Sequence, residues 1–150
     1  MSITIAVINV STADVNNRNR FGDIKDLLQS SQVVCLQGIT PQFLDNLQTY
    51  LTTKYIVSWF NANVAFVRHA TLRGKSDFVS GKPSFAALKV NLRGRYVIIA
   101  NIGDTENLPF ITYTKPNVVI HKGIDCNKCE IISQSTTSDF RIYSIKLPVS

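Results

Sequence analysis

The chain has 150 residues, 45% of them hydrophobic and 17% charged, with three cysteines and a formal net charge of +6. This length sets a single domain, residues 1–150, with a substantial core, and the composition is too apolar and too weakly charged for a disordered tail or linker. No stretch approaches the ~18 apolar residues of a membrane span, and three cysteines are too few, and odd in number, for a disulfide framework.

Met1 to Val10 has no basic segment before its apolar run and no small-residue cleavage site after it, so a cytoplasmic or nuclear protein that is not secreted and has no membrane partner is expected. SITIAVINV (2–10) is a β-branched run that predicts a buried strand. From about 20 to 30, FGDIKDLLQS sets Phe21, Ile24, Leu27 and Leu28 on one stripe of a helix. QVVCLQ (32–37) predicts a second buried strand, in which Cys35 acts as a small hydrophobe, and the resulting β-α-β unit favours a parallel pair. TPQFLDNLQTYLTT (40–53) predicts a second helix, with Thr40 as N-cap, Pro41 at its first position, and Phe43, Leu44, Leu47 and Leu51 as its apolar stripe.

Beyond residue 54 the pattern turns to seven short strands: KYIVSWF, NVAFVRH, SFAALKVNL, RYVIIANI, PNVVIH, CEIIS and FRIYSIKL. YIVSWF and NVAFVR, separated by Asn-Ala, and SFAALKVNL and YVIIAN, separated by Arg-Gly-Arg, predict hairpins. Hairpins after a β-α-β start give a mixed α/β (α+β) class, a β-sandwich with flanking helices, and not a doubly wound parallel sheet.

Charge is unevenly distributed. Residues 1–53 sum to −1, residues 54–100 to +7 and residues 101–150 to 0. The basic residues of the middle segment are Lys54, Arg68, Arg73, Lys75, Lys82, Lys89, Arg93 and Arg95, several in or beside the turn signals LRGKS, SGKP and LRGR. Glycine beside Lys or Arg in a turn presents both charge and backbone N–H groups to phosphate, which makes these eight the candidates for binding nucleic acid or another polyanion. Trp59, Phe60 and Phe66, near Arg68, suit base stacking or core packing, and packing is the commoner use of such residues.

Four motifs carry a resemblance. The first strand ends at Asn9, the helix leads into QVVCLQG (32–38), a later strand runs into Gly103-Asp104-Thr105-Glu106-Asn107, and Ser138-Asp139-Phe140 precedes the last strand. In this order they resemble the endonuclease/exonuclease/phosphatase superfamily, the DNase I-like fold, whose members read D-V-V-C-L-Q-E, G-D-x-N and S-D-H at these points. The resemblance implies a reduced DNase I-like fold and, in active members, phosphodiester hydrolysis with a divalent metal held by the Glu after LQ. It implies vestigial catalytic roles for Asn9, Asp104, Asn107 and Asp139.

Two side chains of that machinery are replaced. Gly38 stands where the metal-binding Glu would be and offers no side-chain oxygen, and Phe140 stands where the His would be and can neither donate a proton nor hydrogen-bond a phosphoryl oxygen. The spacing from Asp104 to Asn107 is one residue too long, and the chain is shorter than the ~250 residues such a domain can hold. A catalytically inactive, shortened relative serving as a binding or structural module is therefore expected, with no cofactor, and such economy of length suits a compact genome such as a virus.

Two alternatives stand beside it. One is an active Mg²⁺-dependent nuclease or phosphodiesterase with a site rebuilt around Asp104, Glu106 and Asp139, with Asp125 as a further carboxylate. The other is a protein-interaction or self-assembling module that uses exposed strand edges to bind a protein partner or a second copy. His69 and His121, with Lys122, suit acid–base cleavage of RNA only if the fold brings them together. Cys126-Asn-Lys-Cys129 has the spacing of half a zinc site, to which His121 would add a third ligand, but a turn that happens to hold two thiols is the simpler reading.

Overall fold

The amino-terminal apolar run forms strand β1 (Ser2–Asn9), helix α1 (Arg18–Ser30) follows, and VVCLQ forms β2 (Val33–Gln37). The structure, a computed structural model, describes residues 2–10, 18–59, 64–78, 85–102, 117–120, 126–127, 130–136 and 140–146. β1 and β2 pair in parallel, Ile5 beside Val33 and Asn9 beside Gln37, as the β-α-β pattern predicts. Helix α2 (Pro41–Tyr50) starts at the predicted cap: Thr40 is extended (φ −120°, ψ 158°), its Oγ1 accepts from the Phe43 N–H at 3.2 Å, and Pro41 fills the first helical position. Its last turn closes through the Leu51 N–H donating to the Leu47 carbonyl at 2.8 Å.

Among the described residues every further element is a strand: β3 (Tyr55–Trp59), β4 (Val64–His69), β5 (Gly74–Phe78), β6 (Phe85–Leu92), β7 (Arg95–Ile102), β8 (Val118–Ile120), β9 (Cys126–Asn127), β10 (Glu130–Thr136) and β11 (Phe140–Lys146). They form two mixed sheets, a six-stranded one in the order β10-β11-β1-β2-β4-β3 and a five-stranded one in the order β5-β6-β7-β8-β9. Both predicted hairpins are antiparallel pairs. The β6–β7 turn is tighter than the Arg-Gly-Arg reading implied. Leu92 pairs with Arg95, which leaves Arg93 and Gly94 as a two-residue loop with both φ angles positive (+53° and +86°), the geometry that suits the strand twist.

Alternation of side chains along the strands divides the interior in two. Odd positions of β1 and β2 and even positions of β4 (Ile3, Ile5, Val7, Val33, Cys35, Val64, Phe66) meet Leu88, Val90, Val97, Ile99, Val118 and Ile120 of the second sheet. The opposite face of the first sheet (Ala6, Ile8, Val34, Leu36, Ala65, Val67) packs under α1 and α2 through Phe21, Ile24, Leu28, Phe43, Leu44 and Leu47. The class is a mixed β-sandwich with flanking helices. Phe66 is fully buried between the sheets, which excludes it from any stacking surface. Cys35 lies in the same layer, where burial pushes its thiol well above the usual range and keeps it protonated. Cys35 is expected to resist alkylation in the folded protein at pH 8 and to be labelled once urea unfolds it; mass mapping of Cys35 adducts without denaturant would contradict this burial.

Candidate functional site

Strand directions define two poles of the sandwich. At one, β1 ends at Asn9, β2 ends at Gln37 and is followed by Gly38, β7 ends at Ile102, and β11 begins at Phe140, which pairs with Ile8. Asp104 lies two residues beyond Ile102 and Asp139 immediately precedes Phe140. The strand ends that flank all four motifs therefore share one pole. Asp104, Glu106, Asn107 and Asp139 themselves, like Asp125, lie outside the described residues.

The same pole is closed by amides. Asn101, fully buried, donates through Nδ2 to the carbonyls of Leu36 (3.0 Å) and Ala65 (3.1 Å), and its Oδ1 accepts from Gln37 Nε2 at 3.2 Å. Gln37 is 3% exposed, and its carbonyl accepts from the Val10 N–H at 2.9 Å. One side chain of the second sheet thus holds two strands of the first. Sequence reasoning missed it, although the signal was present: VVCLQ and VIIAN are buried runs that each end in an amide.

The described side chains at this pole do not fit a divalent cation. Gly38 has φ +69°, so restoring a carboxylate-bearing residue there would force an L side chain into the left-handed region at a cost of about 1–2 kcal/mol. Both polar ends of Asn101 are engaged within the protein, and no group of three potential metal ligands occurs among the described residues.

The basic residues gather at the other pole. Lys54 precedes β3, and its carbonyl accepts from the Ala70 N–H (2.8 Å) just past the end of β4. Arg73 precedes β5, and its carbonyl accepts from the Asn91 N–H (2.9 Å) near the end of β6. Arg93 and Arg95 form and flank the β6–β7 turn. Lys54, Arg73, Lys89 and Arg93 are exposed and Arg95 is half-buried. Lys75 lies opposite Lys89 in the β5–β6 ladder. Lys82 lies outside the described residues.

Arg68 departs from expectation. It is only 7% exposed, and its guanidinium donates to the carbonyls of Leu72 and, at 3.0 Å, Gly74. It spans from β4 to the start of β5 and ties the two sheets together at the basic pole. Burial lowers its pKa, yet an arginine starts so high that it stays charged. It is an internal brace and not a surface cation.

The other candidates do not converge into a site among the described residues. His69 places Nε2 2.6 Å from the Leu28 carbonyl, a donor to the last turn of α1, while His121 lies outside the described residues. Cys126 pairs with Ile120 across β8 and β9, and Cys129 is not described. Trp59 ends β3 and Phe60 is not described. No described helix is long and apolar enough to cross a membrane.

No protein-family model matches the sequence, and no curated protein does. Solved structures do match its fold. D. rerio TDP2 humanized by 14 mutations aligns with a TM-score of 0.59 and 14% identity over 80% of this chain, which spans 64% of that chain's length. D. rerio TDP2 complexed with single strand DNA product gives 0.62 and 12% identity over 96% of this chain and 84% of that one. The endonuclease domain of TRAS1, a telomere-specific non-LTR retrotransposon, gives 0.60 and 6% identity over 98% and 99%. Two mixed sheets packed face to face, strand ends brought to a common pole, and these alignments agree: the chain has a DNase I-like fold.

Proposed function

We propose that this chain is a single-domain, non-catalytic member of the DNase I-like fold that binds a polyanion, nucleic acid foremost, through its basic pole. The observation that carries the reading is the gathering of Lys54, Arg73, Arg93 and Arg95 at one end of the sandwich, with Lys89 one register step inside it. The motif pole supports the non-catalytic half: a left-handed Gly38 replaces the expected carboxylate, and Phe140 replaces the expected imidazole. A fold neighbour, D. rerio TDP2, was solved with single strand DNA product, which supports nucleic acid over other polyanions.

The test is binding to single- and double-stranded DNA and RNA across a salt series, with parallel incubation in Mg²⁺ or Mn²⁺. Affinity is expected to fall steeply with salt, since phosphate contacts release counterions, and the nucleic acid is expected to stay intact. Undetectable binding at low salt, or affinity indifferent to salt, would remove the polyanion reading. EDTA-sensitive cleavage abolished by Asp104→Ala would instead establish an active metal-dependent phosphodiesterase.

A further inference from the structure

The outer face of the second sheet is uneven in a way that polyanion binding alone does not explain. Its half towards the motif pole is covered: Ala87, Ala100 and Val119 are 4%, 0% and 5% exposed. Its half towards the basic pole is open. There Tyr96 is 59% exposed, the most exposed large hydrophobic side chain among the described residues. It is not a loop residue. It is held in β7, in register with Asn91 of β6, so its ring is carried by the rigid part of a hairpin.

Its surroundings are cationic. Lys89, the diagonal cross-strand neighbour, puts Nζ 4.6 Å from the Tyr96 ring centroid, and the Arg93–Gly94 turn follows directly beyond. That turn is fixed: both its residues have positive φ, and the Gly94 N–H donates to Asn91 Oδ1 at 2.8 Å, so exposed Arg93 projects from a defined turn rather than a floppy one. The ladder sets Lys75 at the register position opposite Lys89, so the neighbouring strand adds a second basic residue to this stretch of the sheet.

An exposed aromatic on a sheet, edged by cations, is the physical requirement for holding unpaired bases on a π-face while phosphates track the charges. Double-stranded nucleic acid buries its base faces, so it could use the cations but not the ring. The geometry points to a single-stranded nucleic-acid platform on the β6–β7 hairpin, built from Tyr96, Lys89 and Arg93, at the pole opposite the motif-bearing strand ends. This assignment rests on the polyanion reading above and narrows it to one occupant and one face.

The experiment compares the whole chain with its Tyr96→Ala and Tyr96→Phe variants on three probes of equal length: oligothymidylate, an abasic oligonucleotide with the same phosphates, and duplex DNA. Tyr96 is exposed, so both variants are expected to keep the wild-type unfolding midpoint. Tyr96→Ala is expected to weaken oligothymidylate binding by about five- to 100-fold, the range for loss of one stacked base. Abasic and duplex binding should be unchanged, and Tyr96→Phe should restore the oligothymidylate affinity. An iodouracil-substituted strand should photocrosslink to the peptide containing Tyr96. Equal losses on all three probes, crosslinks confined to other segments, or saturation of the face by a second copy of the chain would each overturn the platform while leaving the polyanion reading standing. Absence of binding to every probe at low salt would remove both.

Discussion

Replacing Asn101 by Asp is expected to destabilise the fold by about 3–5 kcal/mol at pH 7, more than any change at the surface. Only one atom's identity differs, but it is the one that holds the pole together. Nδ2 of Asn101 donates to the Leu36 and Ala65 carbonyls, and a carboxylate oxygen in its place would face those two carbonyl oxygens in a fully buried site. The orientation of the amide is fixed by the same network, since flipping it would set oxygen against oxygen and nitrogen against the donating Gln37 Nε2. The pH dependence has a definite sign. Burial raises the introduced carboxyl's pKa in the folded state above its unfolded value near 3.9, so its neutral form is favoured by folding. The variant's deficit relative to the parent should therefore be smallest below about pH 4 and grow as pH rises through the folded-state pKa. Urea midpoints for parent and variant at pH 4 and pH 7 measure this. An equal deficit at the two pH values, or one below ~1 kcal/mol, would show that the clasp is not what joins the sheets there.

Local signals in the sequence account for most elements and for none of the long-range polar contacts. Thr40-Pro41 capped α2 as read, because cap chemistry is local. The β-branched runs became strands because both faces of the first sheet are covered, by the second sheet on one side and the helices on the other. Strand β5, GKSDF, was invisible: it is a polar edge strand whose residues have little strand preference, held by its ladder to β6, and its first residues read as a turn. β9 is two residues long and carries no period to detect. The basic surplus was legible as a count, but its gathering at one pole depends on strand order, which places the start of β3, the approach to β5 and the β6–β7 turn together. The exposure of Tyr96 has no local signal, because nothing in RYVIIANI tells which face of its sheet stays open.

Arg68 and Arg93 differ in what the fold does with the same cation, and their variants should separate stability from binding. Arg68→Met keeps an apolar stem between β4 and β5 but removes donors from the Leu72 and Gly74 carbonyls, so a loss of about 2–4 kcal/mol is expected. Since its guanidinium is committed inside the protein, that variant, measured where it is still folded, should bind nucleic acid with the parent's affinity and salt slope. Arg93→Ala should do the opposite. Its side chain is exposed, so charge removal should weaken binding across sequences and flatten the log–log salt slope by about 0.7 for a single strand. Stability should change little, provided the positive φ of residue 93 is respected: Arg93→Asn keeps a residue that tolerates that backbone, and it should lose the same charge-dependent binding with even less strain. Reversal of the pair, with Arg68→Met flattening the salt slope and Arg93→Asn lowering the unfolding free energy by about 2–4 kcal/mol, would mean that the cation facing the ligand is the one between the sheets. Parallel unfolding and salt-titration series on the three variants decide between the two assignments.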